Sequence, residues 1–505
     1  MNKNDRMKLL ISAVGLILAF PPFPFGPLAT IVLIPFFFFL KGTTFRQAVT
    51  GSYFLGLVWA AGTIYWIGWA TLPGVIGAVI VFALYPALFG GILNRLFHLW
   101  GERAVWTAPF LWTGVEIIAG SGVLGFPWNS LSHTMIQIPQ SIQFASVTGM
   151  YGVTFWLVLL NVFIFKLFRH IPDIRRACRF MTITVILILF PVIHGSIFSA
   201  VSMPGTPQIR VSLIQGNIDP YIRWTPQFVD SNFVIYRRLT RKAGESSPDL
   251  IVWPESAAPC YVRSRNHCAA PIHYLADSLH IPLLTGAPDY EWTDANHVKT
   301  YNAAFLFTPG MRRLDRYHKR RLVPFSERVP FVSRLPFLYE FSRRFTLDIG
   351  DFSPGDSAVV FRLPPDSTGS RTPFSVLICY DSVFPENVRQ FVEAGARFLV
   401  IITNDGWFGH TSGPYQHAAI ARLRAIENRI WIARSANTGI SEIIDPFGRV
   451  LSRTRLNEAT VLTGHVGLLQ ERTLFTRFGQ WIPVLVLTGC GLILCLGAIT
   501  KLGKR

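Results

Sequence analysis

Long apolar runs dominate the first two hundred residues, and a different pattern takes over after them. A bilayer core needs roughly 20 consecutive apolar residues. Runs near that length predict spans at about 8–22, 26–41, 51–70, 74–94, 105–121, 147–166, 181–200 and 480–499. The first two are short, with Pro21, Pro22 and Pro24 between them. Lys3, Arg6 and Lys8 ahead of an apolar stretch also fit a secretion signal, but no small-residue cleavage site follows and more spans come at once. A retained anchor is expected. Between 205 and 477 the runs shorten, and β-strands are predicted at 209–215, 250–253, 282–287, 303–308, 374–379 and 398–403. Ala419, Leu423, Ile426 and Ile430 recur at helical spacing and predict a helix over 416–433. The strands are almost wholly apolar, as in sheets buried on both faces, which predicts an α/β layered sandwich. No repeat or low-complexity tract is visible.

Charge follows the same division. Residues 1–204 hold 12 Lys/Arg and 4 Asp/Glu, residues 205–477 hold 32 and 25, and the last 28 residues hold three, all basic. The organisation expected is seven spans over 1–204, a polar domain over 205–477, and an eighth span with a tail over 478–505. Only 15% of the chain is charged, against roughly 25% in soluble proteins, which excludes one ordinary soluble domain. The 41 Phe and 14 Trp exclude disorder.

A formal charge of +18 raises nucleic acid, an anionic membrane or an acidic ligand as partners. Its placement decides among them. Basic residues precede spans one, three, five and seven and follow span eight, whereas connections 23–25, 71–73 and 122–146 contain no Lys or Arg. The positive-inside rule then puts both termini in the cytoplasm and residues 205–477 on the outer face. Fifteen of the 47 basic residues serve orientation and the polar domain carries only +7, so nucleic acid is not the explanation. The uncharged 122–146 segment reads as a re-entrant or interfacial loop anchored by Trp128, or as the roof of a lipid-facing cavity.

Six scattered cysteines with no C-x-x-C pair give no metal site, and His410 and His417 lack a third ligand. No metal and no cofactor are expected. Cys260 and Cys268 fall on the oxidising face, where a disulfide and two free thiols are both open. Cys178, Cys490 and Cys495 are expected to be free.

Three places carry chemistry. Residues 250–255 (LIVWPE) end an apolar strand in Glu255; residues 317–325 (YHKRRLVPF) embed Lys319 in a basic segment; residues 374–381 (FSVLICYD) deliver Cys379 to a strand end. A thiol attacks as thiolate, a carboxylate in an apolar pocket can take its proton, and an ammonium can lower the thiol pKa and stabilise an oxyanion. Taken singly, Cys379 could be an inert core residue, Glu255 a helix cap and Lys319 one solvated charge beside Arg316, Arg320 and Arg321. They lie 60 to 64 residues apart, so spacing alone does not join them.

In this order, with residues 404–409 (NDGWFG) and 436–441 (ANTGIS) downstream, the region 209–465 resembles the carbon–nitrogen hydrolase (nitrilase) superfamily. With its spans, the whole chain resembles the bacterial apolipoprotein N-acyltransferases. The resemblance implies an integral membrane α-helical bundle of eight spans plus a periplasmic nitrilase-like α-β-β-α sandwich, in the bacterial inner membrane. Cys379 would be the nucleophile, acylated by the sn-1 chain of a phospholipid, preferentially phosphatidylethanolamine. Glu255 would be the general base, Lys319 the oxyanion stabiliser, and Glu327 the second essential glutamate supporting the lysine. Trp224 and Tyr380 match aromatic positions near the site, or are plain packing. The acyl group would pass to the α-amino group of an S-diacylglyceryl cysteine at an apolipoprotein N-terminus, with the enzyme a monomer.

Asp381 departs from the pattern: relatives often carry Glu after Cys-Tyr, while Cys-Tyr-Asp is common among soluble nitrilases. Phe331, Leu335, Pro336, Phe337, Leu338 and Phe341 read as a lid or membrane-dipping arm, or as an ordinary apolar loop. A membrane-tethered amidase and a catalytically inactive scaffold are the alternatives. The intact Glu255, Lys319 and Cys379 argue against the scaffold, and eight spans argue against the amidase, for which one would suffice.

Overall fold

The computed structural model describes residues 1–200, 206–220, 226–264, 266–294, 296–331, 351–366, 368–469 and 471–503. It divides into two compact units, Met1–Ser202 with Phe478–Arg505, and Met203–Arg477.

The first unit is helical: α1 (Lys3–Ala19), α2 (Ile34–Lys41), α3 (Phe45–Ile64), α4 (Ile67–Ala70), α5 (Leu72–Trp100), α6 (Ala108–Ala119), α7 (Ala145–Arg169), α8 (Ile174–Ala200) and the C-terminal helix Trp481–Leu502. Among the described residues, four stretches are long and apolar enough to cross a bilayer: Leu72–Ala119, Ala145–Arg169, Ile174–Ala200 and Trp481–Leu502. Eight such stretches are not found. The expected first span falls on the 17-residue α1, and the second is broken into a 3-10 turn, Gly26–Thr30, and the eight-residue α2. Pro27 and Pro35 each open one of these pieces, since proline fits a first helical turn and not an interior. The broken backbone is satisfied from α7: Asn161 donates to the Ala29 carbonyl and accepts from Leu33 N, both at 2.8 Å. Such partners are what non-helical backbone needs in an apolar surround.

Glu102, between α5 and α6, pairs with Lys41, with Arg169 at 2.6 Å and with Lys166 at 3.5 Å. Basic residues from the ends of α2 and α7 therefore meet at one end of the unit. The 122–146 segment forms successive 3-10 turns, and Trp128, 2% exposed, packs against Phe126 and Trp66 with ring centroids 5.8 and 4.8 Å away. It is a buried wedge and not an interfacial anchor.

The second unit carries twelve strands: β1 (Gln208–Gln215), β2 (Leu250–Val252), β3 (Leu283–Trp292), β4 (Val298–Phe307), β5 (Asp315–His318), β6 (Phe361–Arg362), β7 (Pro373–Ile378), β8 (Leu399–Thr403), β9 (Ile432–Ala436), β10 (Glu442–Ile444), β11 (Val450–Arg453) and β12 (Thr460–Gly467). Its helices are α9 (Pro226–Gly244), α10 (Asn266–Leu279), α11 (Pro385–Glu393) and α12 (Gly413–Asn428). The strands form two six-stranded sheets, in the orders β12-β1-β2-β3-β4-β5 and β11-β10-β9-β8-β7-β6. Each has three parallel strands at its centre, β1-β2-β3 and β7-β8-β9, with antiparallel strands outside. One strand plan is thus used twice, although no repeat is visible in the sequence.

Side-chain alternation explains the layers. Val211, Leu213, Leu250 and Val252 point into a core shared with Val376, Ile378, Val400 and Ile402 of the other sheet. Ile251, Trp253 and Phe305 point the other way, against Tyr236 and Leu239 of α9 and Ile272 and Leu275 of α10. Val388 and Phe391 of α11 and Ala421 and Ala425 of α12 join the core of the second sheet. The result is helix, sheet, sheet, helix. The helix expected over 416–433 stops at Asn428, because Arg429 takes a left-handed conformation (φ 51°) and the chain turns into β9. Ile430 keeps the helical apolar spacing and still faces the core, so periodicity alone overran the end.

Candidate active site

The site forms where strand ends of both sheets approach. Glu255 follows β2, and no helix follows it for it to cap. Its turn lies directly on β3: a Cβ on Gly286 would sit 2.5 Å from Ser256 N and 2.8 Å from Glu255 Cα. Only glycine allows that approach. Gly286→Ala is therefore expected to displace Glu255 and lower turnover by about 100-fold, the order expected of a ~1 Å misplacement, with far-UV circular dichroism unchanged. Wild-type turnover would show that the turn does not set the carboxylate.

Glu255 is buried and fully engaged. Its Oε1 accepts from Asn302 Nδ2 at 2.8 Å and from Lys319 Nζ at 3.2 Å, and its Oε2 accepts from Asn404 N at 2.9 Å. Lys319 is no solvated member of a basic run. It follows β5, is 1% exposed, and its Nζ also donates to Glu327 Oε1 at 2.9 Å. The Asn302 amide bridges both glutamates, reaching Glu327 Oε1 at 2.9 Å, and Glu327 Oε2 accepts from Val323 N at 2.9 Å. One ammonium thus stands between two carboxylates. Burial pushes Lys319 down, but Glu255 and Glu327 outweigh it and hold the ammonium well above its usual range.

Cys379 is the first residue after β7 and is 9% exposed. It adopts φ 49°, a left-handed conformation costly for a residue with a side chain. Ser256, next to Glu255, and Phe325, two residues before Glu327, are left-handed as well, at 50° and 62°. Strain of this kind gathers where side chains must be held at fixed angles. Burial and the Glu255 charge raise the thiol far above its ordinary pKa, and the nearby Lys319 offsets only part of this. Lysine does lower the thiol pKa as expected, but burial and Glu255 outweigh it. The thiol stays protonated at neutral pH, so its proton must leave during attack.

Asp381 does not join this cluster. Its Oδ2 accepts from Tyr317 OH at 2.7 Å and Ile378 N at 3.1 Å, and its Oδ1 accepts from Arg321 N at 2.7 Å. It ties the nucleophile turn to the residues on either side of Lys319, and burial pushes its carboxyl upward. Tyr380 is buried and packs edge-on against Phe384 at 5.0 Å, with the Arg321 guanidinium 4.9 Å from the Phe384 ring. Trp224 lies outside the described residues, as do Leu335, Pro336, Phe337, Leu338 and Phe341. Phe331 is described, exposed and left-handed at 61°.

Beneath the nucleophile lies an array that sequence reading missed. Asp405 Oδ1 meets His417 Nδ1 at 2.8 Å and Asp405 Oδ2 accepts from Arg434 Nη2 at 2.7 Å, while His417 Nε2 reaches the Cys379 carbonyl at 3.3 Å. Burial would raise Asp405, but Arg434 and His417 outweigh it and keep the carboxylate far below its usual range. The NDGWFG and ANTGIS segments touch here, through Asn437 Nδ2 and Asn404 Oδ1 at 3.1 Å. His417 is thus held by a carboxylate and a guanidinium. Asn302 had one available signal, a lone amide within an apolar strand. Cys260 and Cys268 form a disulfide, and Cys178, Cys379, Cys490 and Cys495 are free.

Residues 210–472 match the family model of carbon-nitrogen hydrolases, and residues 12–163 match that of the apolipoprotein N-acyltransferase N-terminal domain. The apolipoprotein N-acyltransferase of Geobacter metallireducens is 36% identical, over 98% of this chain and 95% of its own. That of Chlorobaculum tepidum is 32% identical over 97% and 96%. Among solved structures, Saccharomyces cerevisiae Nit3, of the nitrilase superfamily, aligns with a TM-score of 0.39 and 18% identity, over 52% of this chain and 90% of its own. Identity above 30% across nearly the full length, with both family models in register, settles the assignment: the chain belongs to the apolipoprotein N-acyltransferase family.

Proposed function

We propose that the protein transfers an acyl chain from a phospholipid, preferentially phosphatidylethanolamine, to the α-amino group of an S-diacylglyceryl cysteine at an apolipoprotein N-terminus, through a thioester on Cys379. The observation that carries this is the buried meeting of Glu255, Lys319 and Glu327, with the Glu255 and Lys319 charges acting on the Cys379 thiol, in a chain that also bears bilayer-length apolar helices. Cys379 Sγ attacks the ester carbonyl while Glu255 takes its proton, because the buried thiol is not ionised beforehand. The Lys319 ammonium stabilises the oxyanion. Collapse expels the lysophospholipid alkoxide, which recovers the proton from Glu255 and leaves the thioester. In the second half-reaction a neutral amine attacks, Glu255 accepts the amine proton and returns it to the departing sulfur, and an amide is formed. Glu327 holds Lys319 in place throughout.

The basic end gathered by Glu102 supports cytoplasmic termini and a periplasmic catalytic unit at the bacterial inner membrane. Leu72–Ala119 runs for 48 residues, which at ~1.5 Å per residue is over twice the ~30 Å core. The turn Gly101–Thr107 divides it into two, which raises the four stretches to five, and α1, α2 and α3 would supply the other three of eight spans. The working unit is a monomer that needs neither metal nor cofactor.

The test is mass spectrometry of a synthetic diacylglyceryl lipopeptide incubated with purified protein and phospholipid. The expected result is a gain of one acyl chain on the peptide amine. An unmodified peptide with folded wild-type protein would refute the proposal. The rate of the second half-reaction should rise with pH toward about 8, where an α-amino group becomes neutral. A flat profile from pH 6 to 8 in single-turnover transfer from preformed acyl-enzyme would contradict attack by the free amine.

A further inference from the structure

The charged array under the nucleophile turn takes no part in the acyl-transfer steps as written. Asp405, His417 and Arg434 are each 1% exposed or less, and they come from three places: the turn after β8, α12 and β9. Asp405 accepts three hydrogen bonds. Thr403 Oγ1 and His417 Nδ1 meet its Oδ1 at 2.9 and 2.8 Å, and Arg434 Nη2 meets its Oδ2 at 2.7 Å. Arg434 Nη1 donates to the Ile440 carbonyl, and the same loop presses on the carboxylate: a Cβ on Gly439 would sit 2.3 Å from Asp405 Oδ2. Buried ion pairs add little stability over well-packed apolar side chains, so the reason for this one lies where it ends. His417 Nε2 is 3.3 Å from both the Cys379 carbonyl and Ser382 Oγ, and Ser382 Oγ donates to that carbonyl at 2.7 Å.

We propose that Asp405 and His417 are positioning residues which, with the Ser382 hydroxyl, hold the Cys379 carbonyl and so keep its thiol aimed at Glu255. An ionised carboxylate only accepts hydrogen bonds, so His417 presents a proton on Nδ1 to Asp405, and that bond fixes the ring. Arg434 and His417 keep Asp405 ionised against its burial. The far side of the ring then stands against the nucleophile's backbone. Cys379 has φ 49°, a conformation a residue with a side chain leaves unless its surroundings hold it. Its carbonyl carbon and its Cβ share one Cα, so a peptide that swings free carries Sγ with it. Sγ has little room to move, because the buried thiol stays protonated and reacts only while Glu255 can take its proton. A displacement of ~1 Å costs about 100-fold in rate. For its kinetic consequence the inference rests on the acyl-transfer reading; for the reactivity of the thiol it does not.

The test compares wild type with His417→Leu, His417→Gln and Ser382→Ala, each as full-length protein in detergent. One arm alkylates the protein with iodoacetamide from pH 6 to 8 and follows the Cys379 peptide by mass spectrometry. In wild type Glu255 assists, and the rate is expected to be nearly flat with pH. In His417→Leu the thiol has lost its base, and the rate should climb about tenfold per pH unit, as for an unassisted thiol below its pKa. The other arm measures acyl transfer. In His417→Leu kcat is expected to fall about 100-fold, with KM for phospholipid within about twofold of wild type. His417→Gln places an amide N–H where Nε2 stood and should return kcat to within about tenfold. Ser382→Ala loses one neutral hydrogen bond, worth about tenfold, and carries the test if His417→Leu does not fold. A flat alkylation profile in folded His417→Leu, or wild-type kcat in Ser382→Ala, would overturn the proposal. Wild-type protein that shows the flat profile but transfers no acyl chain would refute the catalytic reading, and the alkylation arm would still decide this one.

Discussion

Lys319→Met is expected to remove acyl transfer by a factor of about 1,000 or more and to lower the stability of the catalytic unit by about 3–5 kcal/mol. Both effects follow from one geometry. The ammonium is 1% exposed and lies 3.2 Å from Glu255 and 2.9 Å from Glu327. Without it the two carboxylates share only the Asn302 amide, and like charges so close cannot both stay ionised cheaply. A stability loss of that size shifts a thermal midpoint by roughly 10 °C. The double variant Lys319→Met with Glu327→Gln separates the two roles, because it removes one of the facing charges. It should recover most of the midpoint and none of the transfer. Transfer within tenfold of wild type in Lys319→Met would remove the lysine from the chemistry.

Cys379→Ala is expected to lower lipopeptide acylation by a factor of about 10,000 or more, in line with loss of a nucleophile, while the thermal midpoint stays close to wild type. Alanine loses only a small buried thiol, and the left-handed conformation at φ 49° must be held with either residue. Loss of activity with an unchanged fold therefore reports chemistry and not collapse. Glu255→Gln should fall between, at about 100- to 10,000-fold, the range for a general base. Undiminished acylation by Cys379→Ala would mean that the acyl chain never rests on this thiol.

The parts of this molecule differ in how plainly the sequence announces them. β2 and β7 are apolar runs ending in Glu255 and Cys379, so a two-sided buried strand and its functional tip are visible together. β5 is not: Asp315–His318 is a polar edge strand, and Lys319 beyond it looks like one more surface charge until the glutamates are seen around it. β9 contains Arg434, fully buried against Asp405, and a buried arginine in a strand reads as a surface position without its partner. The same holds for His417, whose partners come from other elements. The first spans were hard for a related reason. Proline follows α1 at once and opens both pieces of the broken second run, and the compensating Asn161 lies 128 residues beyond Leu33. Resemblance to a family supplied Lys319 and Glu327, the placements that local pattern could not.

Intact-protein mass spectrometry of the wild-type enzyme, incubated with phospholipid and no acceptor, tests the thioester directly. The expected result is one added acyl chain, mapped to the peptide containing Cys379, released by neutral hydroxylamine and absent from Cys379→Ala. An unmodified wild-type protein that nonetheless acylates the lipopeptide, or an adduct that persists in Cys379→Ala, would contradict it.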